Sequence, residues 1–196
     1  MPTASGPRSF DPVRVAHLET DAWAAYYRHE WVRFLLTAVG MVRAGFGMNW
    51  RCTLLLAWYV RRATQLWSPY PDNDPDGARE QMRRFYALVA RDGDVQLDPV
   101  HAARLEVEWW RLHREHQYDD EGEELALVQA LVDLYSYVYS ADPAAMRPAA
   151  VARVEAMDVS DRWVAAGSRR DDPLLAAERR ALVASYAALR AAVDRP

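Results

Sequence analysis

Two glutamates carry the chemistry this sequence offers, because each is surrounded by residues that would deprive it of water. Successive helical residues advance about 100° around the axis. On that wheel Val15, Ala22, Trp23 and Tyr26 fall within about 60° of Glu19, with Leu18 and His29 just beyond. Ala102, Ala103, Trp109, Trp110 and His113 surround Glu106 in the same way, flanked by Leu105 and His116. Asp21 and Glu108 point the opposite way and read as solvated carboxylates. A carboxylate on an apolar face must find a partner, or its pKa rises and it stays protonated.

Such a pair has two uses. Carboxylates and an imidazole projecting from facing helices hold iron or manganese in helical bundles. In that reading Glu19, Glu106 and His113 are metal ligands, and the protein is a helical metalloenzyme of the carboxylate-oxidase kind. The ligand set is thin for it: no Glu-x-x-His spacing occurs, and His113 alone shares a face with a glutamate. In the other reading the glutamates belong to a buried polar network that fixes helix packing, bonded to tyrosine, histidine, arginine or indole N–H. Glu19, Trp23, Tyr26, Glu106, Trp110 and His113 then mark where a ligand would bind in a non-catalytic protein, and no cofactor is expected. Ligand count favours this second reading. A protein partner or a small apolar ligand among the aromatic residues is the partner it suggests.

Helices must position these residues, and the sequence announces where they begin. Asp-Pro occurs at Asp11-Pro12, Asp74-Pro75, Asp98-Pro99, Asp142-Pro143 and Asp172-Pro173. Aspartate caps a free backbone N–H, and proline fits the first helical position because its missing N–H is not needed there. No strand-like alternation or hairpin signal is present. The expected fold is all-α, with helices over 12–29, 31–46, 51–67, 75–91, 99–117, 122–140, 144–157 and 173–193, and a short turn over 160–166 capped by Ser160.

The first and fifth of these helices resemble one another at an offset of 87 residues. Asp11/Asp98, Pro12/Pro99, Val13/Val100, Ala16/Ala103, Leu18/Leu105, Glu19/Glu106, Trp23/Trp110 and His29/His116 are identical, and Tyr26 stands opposite His113. Phe85-Tyr86-Ala87-Leu88 and Ser185-Tyr186-Ala187-Ala188-Leu189 match in the fourth and last helices. The pattern implies an internally duplicated four-helix unit with a pseudo-two-fold axis. The expected organisation is a disordered leader over 1–10, a first repeat over 11–92 and a second over 98–194, the two packed as one globular domain.

Composition narrows the remaining classes. Of 196 residues 51% are apolar and 27% charged, enough for a substantial core. All 24 basic side chains are arginine, which excludes Schiff-base chemistry and a P-loop lysine. A net charge of −4 speaks against nucleic acid as a partner. The most apolar stretch, Trp31 to Val60, is broken by Arg33, Arg43 and Arg51, short of the roughly 18 uncharged residues a membrane helix needs. No membrane partner and a cytoplasmic location are therefore expected. Cys52, the single cysteine, excludes an internal disulfide and reads as a buried inert thiol. The acidic run Asp119–Glu124 reads as a complement to a helix dipole.

Overall fold

All five Asp-Pro pairs begin helices. Each aspartate side chain accepts a hydrogen bond from a backbone N–H of the first turn: Asp11 from Val13, Asp74 from Gly77, Asp98 from Val100, Asp142 from Ala144 and Asp172 from Leu174, at 2.8–3.2 Å. The computed structural model describes residues 7–93, 95–117 and 124–194. Among these it contains eight helices and no strand: α1 (Pro12–Tyr27), α2 (Trp31–Phe46), α3 (Trp50–Trp67), α4 (Pro75–Asp92), α5 (Pro99–His116), α6 (Glu124–Tyr139), α7 (Pro143–Ala165) and α8 (Pro173–Val193). Among the described residues no helix is long and apolar enough to cross a membrane.

Each helix packs on the next in sequence, and α8 returns to pack on α1, so the eight close into a ring. The α7–α8 contact is the most extensive and α2–α3 the slightest. Leu56, Met82, Phe85, Tyr86, Val89 and Val107 form a core shared by α3, α4 and α5. Leu127, Val128, Leu131 and Val132 seal α6 against Ala150 and Val154 of α7. Phe10, Val15, Met146 and Leu189 join the start of the chain to α1, α7 and α8.

Three features depart from the sequence expectations. First, residues 144–157 and 160–166 are one helix, and Ser160 is a buried interior residue of it, not a cap. No glycine or proline lies between Met157 and Trp163, and the modest helix cost of Ser160 and Asp161 is outweighed by full burial of Trp163. Second, the described part of the expected leader is packed. Pro7 and Phe10 are buried, and Arg8 donates to the carbonyls of Tyr139 and Val193 at 2.7 and 3.3 Å. Third, Asp21 is not simply solvated: it accepts from Arg179 of α8 at 2.7 Å and lies 3.7 Å from Arg33. The acidic run falls outside the described residues except for Glu124.

Candidate functional site: a buried carboxylate–tyrosine network

Glu19 sits on the inner side of α1, where the small residues Ala16 and Ala22 leave room for side chains from the neighbouring helices. Its Oε1 accepts from Arg153 Nη2 of α7 at 2.5 Å, and its Oε2 from the Tyr186 hydroxyl of α8 at 2.5 Å. Burial pushes this carboxyl up, but the Arg153 charge and the two hydrogen bonds outweigh it and hold the group below its usual value. Arg153 also lies over the Tyr186 ring, 6.0 Å from its centroid.

Glu106 occupies the matching place on α5. Its Oε2 accepts from the Tyr86 hydroxyl of α4 at 2.6 Å, and its Oε1 from Trp110 Nε1, one turn along its own helix, at 3.2 Å. Here burial wins. The neutral donors and a more distant Arg153 do not offset it, and the Glu106 pKa is raised. Trp109 Nε1–H, buried close by, also favours the ionised form of this carboxyl, while meeting no acceptor in full hydrogen-bond geometry among the described residues. Tyr135 and Tyr139 of α6 complete the cluster; burial lifts Tyr135 to about 12 and Tyr139 further. The two glutamates thus have similar surroundings and opposite protonation tendencies, and the difference is Arg153.

The structure sorts the six expected site residues into four places, Glu19 lying with Arg153 and Tyr186. Glu106 and Trp110 are bonded to each other. Trp23 and Tyr26 stack at 5.8 Å in an outer aromatic group with Tyr27, Trp31 and Phe34, and Trp23 is exposed. His113 turns to α7, where its Nε2 meets Asp161 Oδ2 at 3.2 Å. His116 does the same with Asp158 at 3.0 Å, and Gln117 donates to Asp161 at 2.9 Å. Glu19, Glu106 and His113 are not gathered as a ligand set: among the described residues no three His, Cys, Asp or Glu side chains come together to hold a metal ion.

Sequence reasoning did not assign Arg153, Tyr86, Tyr186 or Glu178. The tyrosines had a signal, since they occupy matching places in the fourth and last helices. Arg153 had one too: Ala149, Ala150, Ala156 and Met157, its neighbours at helical spacing, are all buried. Glu178 is 2% exposed, its Oε2 has no hydrogen-bond partner among the described residues, and burial together with the Glu19 charge raises its pKa to about 8. Cys52 is buried as expected and donates to Asp92 at 3.0 Å; that bond and burial raise its pKa.

A separate cleft of about 1210 Å³ borders α4 and α5. Its walls carry Arg79, Arg83 and Arg111, each paired within its own helix to Asp76, Glu80 or Glu108 and Glu115. Arg114 lies 4.8 Å from the Trp67 ring centroid and 5.2 Å from that of Tyr70. Arg79, Arg83 and Arg111 are already neutralised, and the lining sets four carboxylates beside its arginines, so the cleft presents mixed charge and no concentrated field.

No protein-family model, curated protein or solved structure matches the chain.

Proposed function

We propose that this is a non-catalytic binding protein whose recognising surface is the outer face of α2 and α3, with the Glu19/Glu106 cluster as its structural fastener. The observation that carries this reading is the imbalance of α2. Val42 is its one fully buried residue, while Trp31, Val32, Leu35 and Leu36 are 50–75% exposed. The next helix also exposes Trp50, Leu54, Leu55 and Trp58, and Arg43 of α2 lies over the Trp50 ring. Folded monomers rarely leave so many large apolar side chains in one region uncovered unless something binds there.

The buried cluster supports the structural half of the proposal. All four oxygens of Glu19 and Glu106 already accept a hydrogen bond from the protein itself. The arrangement also supports reading residues 11–92 and 98–194 as copies of one unit. Tyr186, from the last helix of the second half, bonds Glu19 in the first helix of the first half; Tyr86 and Glu106 make the reciprocal bond.

The test is a variant with Leu36→Ser and Leu55→Ser. Wild type should enhance the fluorescence of an apolar dye such as ANS in its native state, and the variant should lose most of that signal. Its thermal midpoint should stay close to wild type, because exposed positions contribute within about 0.5 kcal/mol. A wild type that leaves the dye dark, or a variant that unfolds, overturns the proposal.

A further inference from the structure

The charge of this same face indicates what covers it. Between Trp31 and Pro71 the sequence has five arginines and no aspartate or glutamate, in a chain whose net charge is −4. Arg51, Arg61 and Arg62 are exposed and pair with no carboxylate among the described residues. Arg43 and Arg61 lie instead over the rings of Trp50 and Trp58, at 4.1 and 5.6 Å from their centroids. On α3 the exposed residues Arg51, Leu54, Leu55, Trp58, Arg61 and Arg62 follow helical spacing and form one stripe.

We infer that the α2–α3 face docks on an anionic lipid surface, a step that rests on the binding role proposed above. Tryptophan and leucine bounded by arginine is the composition of an interfacial helix. The apolar side chains enter the boundary of the acyl region, the indoles lie at headgroup level, and the guanidinium groups meet phosphate. A second copy of the chain is a poor occupant, because a two-fold contact would set these uncompensated arginines against themselves. A folded protein partner would have to bring its own carboxylates opposite these arginines, which an anionic bilayer supplies all along its surface. The exposed residues from Trp31 to Leu36 and from Trp50 to Arg62 are all apolar or arginine. This contact is peripheral, and it revises the expectation of no membrane partner without adding a membrane span.

Vesicle flotation of the full chain tests it, using phosphatidylcholine alone and phosphatidylcholine with roughly 30% phosphatidylglycerol. Wild type should float with the anionic vesicles, its tryptophan emission shifting to the blue, and should remain unbound with the neutral ones. High salt should weaken binding. Arg51→Glu/Arg61→Glu/Arg62→Glu and Leu36→Ser/Leu55→Ser should each reduce anionic-vesicle binding by about tenfold or more, with circular dichroism confirming that both remain helical. Absence of binding, or equal binding to both vesicle types, overturns the lipid proposal. So does a dimer, seen by sedimentation equilibrium, that the Leu36→Ser/Leu55→Ser variant dissociates. In any of these cases a native-state dye signal that depends on Leu36 and Leu55 leaves the binding role standing with a different occupant. Loss of that signal as well removes both.

Discussion

The Arg153 guanidinium on α7 meets the Glu19 carboxylate on α1 at 2.5 Å, with 17% and 19% of the two side chains exposed. The pair joins helices that are far apart in sequence, and Tyr186 on the intervening α8 bonds the same carboxylate. Removing one member of a buried pair leaves the other charge without compensation, which costs far more than the intact pair contributes. Arg153→Ala should therefore destabilise the protein by about 3–5 kcal/mol. The double variant Glu19→Gln/Arg153→Met should recover most of that loss. Urea titrations of the three proteins check it, and an Arg153→Ala variant as stable as wild type would remove the network from its structural role.

Acid should act through the same carboxylate. The folded state holds the Glu19 pKa below its ordinary value of 4.5. Its stabilisation is then fully present above that value and is lost as pH falls through the lower, folded-state pKa. Wild type should weaken more steeply than Glu19→Gln on acidification below pH 4.5. Parallel stability profiles for the two would contradict the lowered pKa.

Glu106 and Glu108 lie two residues apart on α5 and should respond very differently. Glu106→Ala leaves the Tyr86 hydroxyl and the Trp110 N–H without an acceptor, costing on the order of 1–3 kcal/mol. Glu108 is 47% exposed and holds Arg111 on the surface, so Glu108→Ala should stay within about 0.5 kcal/mol of wild type. Equal thermal shifts for the two would refute the assignment of inner and outer faces.

The helix starts and the inner placement of both glutamates could be read from the chain because local rules set them. A cap needs an aspartate and a proline side by side, and a wheel needs residues three and four apart. The destinations of Tyr26 and His113 depend on neighbours that no local rule supplies. Tyr26 is drawn to Trp31 and Phe34 across the short α1–α2 turn, and His113 to Asp161 on α7, 48 residues away. The inward placement of Arg153 follows from its buried neighbours on α7, but its acceptor lies 134 residues earlier and no local rule points to it. Ser160 misled because a good capping residue also fits a helix interior when tertiary packing continues past it.

The caps themselves can be weighed. Asp98 accepts from the Val100 N–H at 3.0 Å and Asp172 from the Leu174 N–H at 2.9 Å. Asp98→Ala and Asp172→Ala should each cost roughly 1 kcal/mol, with Asn at either site retaining most of the stability. The sites start different helices and share no partner, so the double variant should cost about the sum. A loss well above that sum would mean the caps also position the helices against each other.

Glu178 gives the remaining prediction, and its sign is opposite to that of Glu19. It is 2% exposed, Oε2 has no partner among the described residues, and burial, reinforced by the nearby Glu19 charge, lifts its pKa from 4.5 to about 8. Across that window the folded protein keeps a proton that the unfolded chain releases. Stability must then fall as pH rises from 4.5 towards 8, by up to about 1.4 kcal/mol per pH unit, and level off above. Glu178→Gln imitates the protonated side chain and cannot ionise, so its stability should not decline in this way. The advantage of the variant over wild type should grow by on the order of 2–4 kcal/mol between pH 5 and pH 8. Taking the difference between two pH values cancels any fixed cost of placing an amide there. Urea titrations of both proteins at the two pH values make the measurement, and an advantage that does not change with pH would show that Glu178 ionises normally in the folded state.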